Sequence, residues 1–216
     1  MKNFETNDWL VLNSIIYKIY TTNDFDEMRR QFLEQIKTVI DFDSADFYLA
    51  SAKEIERLER PVYFNCDEEL SDIYESIDYS RGIMFSGRSM VYRETDIISD
   101  EKRVNTEYYR RVYWPNNWHY AMQMIFGRNK SFLGVVTLYR TIGKEDFTYE
   151  DVFLMDMLKD HMAYRLYQER THQMTAQEKL TMTEAVRKYN LTKREQTILG
   201  LLLQGMENAQ ICDQLS

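Results

Sequence analysis

The chain has 216 residues, 44% hydrophobic and 14% aromatic, enough to fill a sizeable core, with only 7 glycines and 2 prolines to interrupt helices and strands. A formal net charge of −8 argues against general nucleic-acid binding by the bulk of the chain. Cys66 and Cys212 give neither a disulfide framework nor a metal-ligand spacing, no apolar run reaches membrane-spanning length, and the start MKNFETND lacks a signal-peptide core. The expectation is a soluble, cytoplasmic protein with no metal, no cofactor and no membrane contact.

Trp9, Leu10, Leu12, Asn13, Ile16, Tyr17 and Tyr20 recur at helical spacing after a capping Asp8. Asp24 is a cap for a second helix, with Phe25, Met28, Phe32, Leu33, Ile36 and Ile40 on its apolar face and Arg29, Arg30, Glu34 and Lys37 opposite. The period then changes. Ser44 to Ala50 alternates as a strand, Pro61 to Phe64 is a second, Asp67 to Ile77 a short helix, and Ser89 to Tyr92 strand-like. A polar insertion from Glu94 to Asn117 holds Tyr108, Tyr109, Tyr113 and Trp114. His119 to Phe126 and Phe132 to Tyr139 are two further strands, joined as a hairpin through Gly127 to Lys130.

Thr148 to Asp151 opens a helical pattern with Val152, Met155, Leu158, Met162 and Leu166 on one stripe and few breakers before Asn190. If continuous, it makes a rod of about 60 Å, longer than one domain needs and suited to a dimer. Thr192 and Glu195 form a T-x-x-E capping box, followed by the apolar stripe Ile198, Leu199, Leu202 and Leu203 and a stop at Gly205. Ile211 and Leu215 begin another helix, so this stretch reads as the opening of a helix-turn-helix. The whole is an α+β layout: an antiparallel sheet flanked by helices, a long C-terminal linker helix, then a partial all-α module.

Two family resemblances follow from these residues. Leu191, Thr192, Arg194, Glu195, Ile198, Leu199, Leu202, Gly205, Asn208, Ile211 and Leu215 stand where the LuxR/FixJ class of bacterial transcription regulators has its LTxRE motif, leucine core, glycine and S-N-x-x-I-A-x-x-L segment. Glu207 replaces the usual serine cap, with Asn208 as the substitute, and Cys212 replaces an alanine. In that family the recognition helix follows the position of Ser216, so the resemblance implies a module truncated before it reads DNA. Leu199, Leu202, Leu203, Ile211 and Leu215 would pack against that helix; without it they are expected to be exposed, disordered or covered by a neighbouring chain.

The stretch Leu133 to Arg140, then Phe147 to Val152, with Leu154, Leu158, His161, Met162 and Ala163 beyond, resembles the last strand and helix of GAF domains. The likeness is sharp over 131–168 and holds in element order from residue 9. It implies a sensor domain at 1–168, a helical linker at 169–190 and the partial helix-turn-helix at 191–216.

No phosphate loop, dinucleotide glycine pattern, zinc spacing or nucleophile elbow is present, and His119, His161 and His172 have no partner at ligand spacing. For His161 the sheet or a partner helix is the expected neighbour. Cys66 stands alone, unlike the clustered cysteines of GAF-fold sulfoxide reductases, so no enzyme is expected. The insertion over the sheet supplies Tyr109, Arg111, Tyr113 and Trp114 to a candidate ligand wall completed by Tyr63, Tyr92 and His119 of the strands, aromatic with a guanidinium for a carboxylate. The same aromatics serve equally to fill the layer between loop and sheet.

Together these readings give a ligand-responsive regulator, homodimeric through 149–189, sensing an unknown small molecule. It would bind DNA only in its full-length form, through a module containing Thr192, Lys193, Arg194, Glu195 and Asn208. The other reading is a GAF-like dimerisation scaffold that meets protein partners and no small molecule.

Overall fold

Five antiparallel strands, β1 (Ser44–Ala50), β2 (Leu58–Phe64), β3 (Met90–Arg93), β4 (Trp118–Arg128) and β5 (Ser131–Thr141), lie side by side in the order β2-β1-β5-β4-β3. They belong to a computed structural model that describes residues 6–54, 56–66, 77–178 and 181–215. The chain divides into two compact units, Met1–Arg170 and Thr171–Ser216. The short helix expected at Asp67 to Ile77 lies outside the described residues, apart from Ile77 itself.

Both faces of this sheet are buried, which is why β1 is closed to solvent from Ser44 to Leu49 rather than on alternate residues. One face is covered by α1 (Thr6–Thr21), α2 (Phe25–Ile36) and α5 (Tyr149–Glu178), whose side chains share a core with Phe47, Met124 and Val136. The other carries a cap of short turns: α3 (Arg81–Met84), α4 (Asp100–Arg103) and a π-helical turn at Tyr109–Tyr113, packed on Tyr48, Ile125 and Val135. The region expected as a polar insertion thus contributes much of the second core.

Local sequence explains the joints. Asp24 caps α2 by accepting the Glu27 N–H at 2.8 Å, as its position predicts. The β4–β5 turn is made by Asn129 and Lys130, both at positive φ (52° and 62°), the two-residue geometry that matches strand twist. Gly127 is needed for a different reason: a Cβ there would sit 2.5 Å from the Gly87 carbonyl carbon, where the loop before β3 crosses the hairpin. A register shift between Phe47 and Leu49 marks a bulge in β2, where Arg60 (φ 51°) and Pro61 stand opposite Tyr48 alone.

That bulge corrects the reading of Arg29. Expected on the polar face of α2, it is buried, and its Nη1 donates to the Phe47 and Arg60 carbonyls at 3.1 and 2.6 Å while Nη2 pairs with Asp26. The bulge frees carbonyls that the ladder cannot satisfy, and the guanidinium replaces the missing donors. In α1 the buried residues are Leu12, Ile15 and Ile19, whereas Trp9, Leu10, Tyr17 and Tyr20, which carried the helical spacing, are exposed. This helix carries two apolar stripes, and spacing alone does not say which meets the sheet. His161 contacts α1, its Nδ1 3.0 Å from the Tyr20 hydroxyl, rather than the sheet.

The long helix expected over 149–189 is two helices. After α5, Thr181 is extended (ψ 158°) and caps α6 (Met182–Tyr189) through a reciprocal box with Glu184. The motif Thr181-Met182-Thr183-Glu184 carries the same start signal as Thr192 to Glu195, and it outweighs the continuing apolar pattern. In the second unit, α6 ends at left-handed Asn190 (φ 50°), and α7 (Lys193–Leu203) opens with the Thr192–Glu195 box as read from sequence. Gly205 takes φ 82°, the left-handed stop. Asn208 is the first residue of α8 (Asn208–Leu215) rather than its cap: Glu207 precedes it, and the Glu207 N–H is accepted by Gln210 Oε1 at 2.9 Å. Within this unit Leu202 and Leu203 are exposed and Ile211 is buried.

Candidate functional site

Strand register builds the site. Tyr63 pairs with Asp46, Asp46 with Thr137, Thr137 with Gln123 and Gln123 with Tyr92, so one row of polar side chains crosses all five strands on the capped face. Asp46, Gln123 and Thr137 are buried in the middle of it. A layer that only needed filling would place apolar groups here, because each buried polar group must be matched by a partner. Part of the row is matched internally: the Tyr92 hydroxyl donates to Gln123 Oε1 at 2.5 Å and the Tyr139 hydroxyl to Asp46 Oδ2 at 2.8 Å. The Tyr48 and Tyr63 hydroxyls are 3.0 Å apart.

The cap adds charge. Asp78, 7% exposed, accepts from the Ser80 N–H and hydroxyl on Oδ1, both at 2.7 Å, and leaves Oδ2 without a hydrogen bond. Glu94 and Arg103, each 1% exposed, face one another with Nη1 3.5 Å from Oε2. The Arg103 guanidinium also donates to Asp100 at 2.6 Å and lies over the rings of Tyr109, Tyr113 and Tyr120. Among the described residues, the buried side-chain polar atoms lacking a hydrogen bond are concentrated here: Asp78 Oδ2, Tyr79 Oη, both Glu94 oxygens, Arg103 Nε and Nη1, and Tyr113 Oη, with Arg29 Nε and Arg165 Nε elsewhere. Glu94, Arg103, Tyr79 and Tyr113 face one another within this cluster, whereas Asp78 Oδ2 is left without a donor, and an unmatched buried acceptor is costly.

Titration follows from this burial. Desolvation pushes the Glu94 carboxyl up to about 7, and Arg103 together with the Tyr113 and Tyr79 hydroxyls only partly opposes it. At Arg103 desolvation lowers the guanidinium, but the Asp100 hydrogen bond and the Glu94 charge outweigh it and leave it raised. The pair is therefore uneven: the arginine has a second carboxylate to hold it and the glutamate has no second cation. Burial also raises Asp78 and the hydroxyls of Tyr79, Tyr92 and Tyr113, and lowers His119.

The expected ligand wall is only partly assembled. Tyr63 and Tyr92 close the two ends of the polar row. Tyr109 stacks on Tyr113 at 5.6 Å and meets His119 Nδ1 through its hydroxyl at 2.7 Å. Arg111 and Trp114 do not join them. Arg111 is on the surface with Glu107, and Trp114 is 65% exposed. The arginine that faces a carboxylate at this site is Arg103, and that carboxylate is the chain's own Glu94. A cavity of about 10 Å³, lined in part by Asp46, Asp78, Gln123 and Thr137, has room for roughly one water-sized group. The remaining aromatics fill the layer around it. Wider clefts of about 280 and 420 Å³ open on the surface, where charged groups such as Arg57–Glu54 and Arg140–Asp151 pair with one another.

In the second unit, Thr192 and Glu195 make the capping box, Lys193 and Arg194 are exposed on the first turn of α7, and Asn208 is exposed at the start of α8. Among the described residues no group of three or more His, Cys, Asp or Glu side chains could hold a metal ion, and no helix is long and apolar enough to cross a membrane.

Residues 189–216 match the GerE family model, bacterial regulatory proteins of the luxR family. No curated protein matches the chain by sequence. By structure it is similar to the GAF domain of a two-component sensor histidine kinase from Bacillus halodurans, at TM-score 0.52 and 13% identity over 69% of this chain and 97% of that one. It is also similar to the GAF domain from Acinetobacter phosphoenolpyruvate-protein phosphotransferase, at TM-score 0.57 and 9% identity over 78% and 97%. A third similar structure is the phycoerythrobilin-bound GAF domain from a cyanobacterial phytochrome, at TM-score 0.54 and 10% identity over 79% and 100%. At these identities the likeness is one of fold. The chain joins a GAF fold to a segment, 189–216, that matches the luxR family of bacterial regulatory proteins.

Proposed function

We propose that this is a transcription regulator in which the GAF-fold unit senses a small molecule beneath its cap and adjusts DNA binding by a LuxR-type helix-turn-helix. The observation that carries this reading is the order of parts: a luxR-family segment follows directly on a GAF fold. The buried polar row and the Asp78 oxygen left without a donor support a sensing role, since a layer for packing alone has no use for them. In this reading the sensor runs to about residue 168, a helical connection spans 169–190, and the DNA-binding module begins at Leu191.

The regulator acts as a homodimer in the cytoplasm. Exposed Trp9, Leu10 and Tyr17 on α1 and Phe153 and Tyr164 on α5 form aromatic surface on two neighbouring helices, which touch through Tyr20 and His161. Pairing two copies there would set the separation of two DNA-binding modules, which must match half-site spacing. An effector that favours one pairing over the other shifts that equilibrium by its difference in affinity.

The second reading, a dimeric scaffold without a ligand, is favoured by one observation: the cavity beneath the cap has room for roughly one water. A thermal-shift screen of a metabolite library separates the two, because a ligand that binds only the folded state raises its stability. At least one saturable stabiliser is expected. A library without any stabiliser, together with unaltered DNA binding, favours the scaffold.

A further inference from the structure

We infer that the effector presents an ammonium-type group, free ammonium or the head of a small primary amine, to the cavity between Asp78 and the polar row. This rests on the sensing reading and names its ligand class. The cavity is buried, close to the size of one such group, and lined by acceptors: the carboxylates of Asp46 and Asp78, the Gln123 amide oxygen and the Thr137 hydroxyl. Asp78 Oδ2 is buried there with no donor. Register places Asp46, Thr137 and Gln123 side by side on three adjacent strands, so their oxygens converge from a rigid floor, and the Tyr48 and Tyr108 rings stand beside them.

The charge of the surroundings selects among possible occupants. Asp78 is near enough to Glu94 to act on it, and both are closed to solvent. Arg103 is committed to Glu94 and Asp100. Arg81, the cation that acts on Asp78, directs its guanidinium to the Glu56 carbonyl and over the Phe85 ring. An anionic or neutral occupant leaves the Asp78 carboxylate unbalanced in a low-dielectric site, whereas a cation with several N–H donors and no acceptor offsets both its charge and its missing hydrogen bond. A water supplies donors and no charge. A divalent metal needs more carboxylates than any cluster of described residues offers here. Aromatic walls suit a cation for the same electrostatic reason.

The test is thermal shift and calorimetric titration of the full chain with four probes at fixed ionic strength: ammonium chloride, propylammonium chloride, potassium chloride and propanol. Ammonium, propylammonium or both should stabilise the protein beyond potassium and propanol. Ammonium alone identifies the free ion as the source, and propylammonium alone an amine head group. Asp78→Asn should weaken that binding about tenfold or more, since a charged hydrogen bond is lost. Asp46→Asn, which keeps an acceptor for Tyr139, is the second variant should the first fail to fold. Stabilisation by potassium equal to ammonium, by propanol equal to propylammonium, by none of the four, or undiminished in a folded variant overturns the assignment. The sensing reading falls separately, when the whole metabolite library leaves the protein unshifted.

Discussion

Replacing Glu94 by glutamine should make the protein more stable at alkaline pH and remove a pH dependence that the wild type carries. Glu94 is closed to solvent and faces Arg103 at 3.5 Å, with the Tyr79 and Tyr113 hydroxyls beside it. Its carboxyl is held up at about 7, against 4.5 when unfolded. Between those values the folded state binds more protons than the unfolded one, so stability is fully present below about pH 4.5 and falls as pH rises toward 7. The span corresponds to about 3 kcal/mol, at 1.4 kcal/mol for each pH unit. Glutamine mimics the neutral acid and leaves Arg103 its Asp100 partner. Urea unfolding of wild type and Glu94→Gln from about pH 5 to pH 8.5 isolates this group, because every other titration cancels in the difference. The two should differ by less than about 1 kcal/mol at pH 5 and by up to about 3 kcal/mol above pH 7, with the variant the more stable. A difference that is flat with pH, or a variant less stable throughout, would refute the account and mean that the ion pair outweighs burial.

Other outcomes follow from single contacts. Arg29→Met should cost about 2–4 kcal/mol in denaturant, because it strips donors from the buried Phe47 and Arg60 carbonyls at the bulge; a loss below about 1 kcal/mol would mean that water replaces them. Gly127→Ala should cost about 2–3 kcal/mol, since its methyl would lie 2.5 Å from the Gly87 carbonyl carbon and 2.6 Å from the Arg88 nitrogen, backbone atoms rather than a flexible side chain; near-neutral behaviour would contradict that close approach. Thr181→Ala should lower far-UV helicity and speed hydrogen exchange in α6 through a lost cap worth about 1 kcal/mol. An increase in helicity would instead fit a continuous helix across residues 178–182, where alanine is the better former.

The elements were legible where period and punctuation agree. β1, the core of the β4–β5 hairpin, the Asp24 cap, the Thr192–Glu195 box and the Gly205 stop all follow from local chemistry that nothing else competes with. Arg29 and the inner face of α1 were not legible, because a bulge in β2 and a choice between two apolar stripes are decided by neighbours distant in sequence. Thr181 carried a readable signal that the apolar stripe on either side obscured. The site fared least well. Asp46, Thr137 and Gln123 are ordinary members of three alternating strands until register sets them side by side. Glu94 and Arg103 look like solvent charges within a charged stretch, and only burial of the cap reveals them as a pair. One cue was available: a polar residue on each of several otherwise apolar strands, at matching parity, asks what sits between them.

The luxR-family segment behind a GAF fold is the basis of the functional account, and DNA is where it stands or falls. The decisive measurement is selection from a random DNA pool by the protein as its gene encodes it, at moderate salt, with competitor present. The account predicts enrichment of one two-fold symmetric sequence whose affinity changes when the effector occupies the GAF unit. Recovery of no preferred sequence, with only weak binding that vanishes as salt is raised, would contradict it.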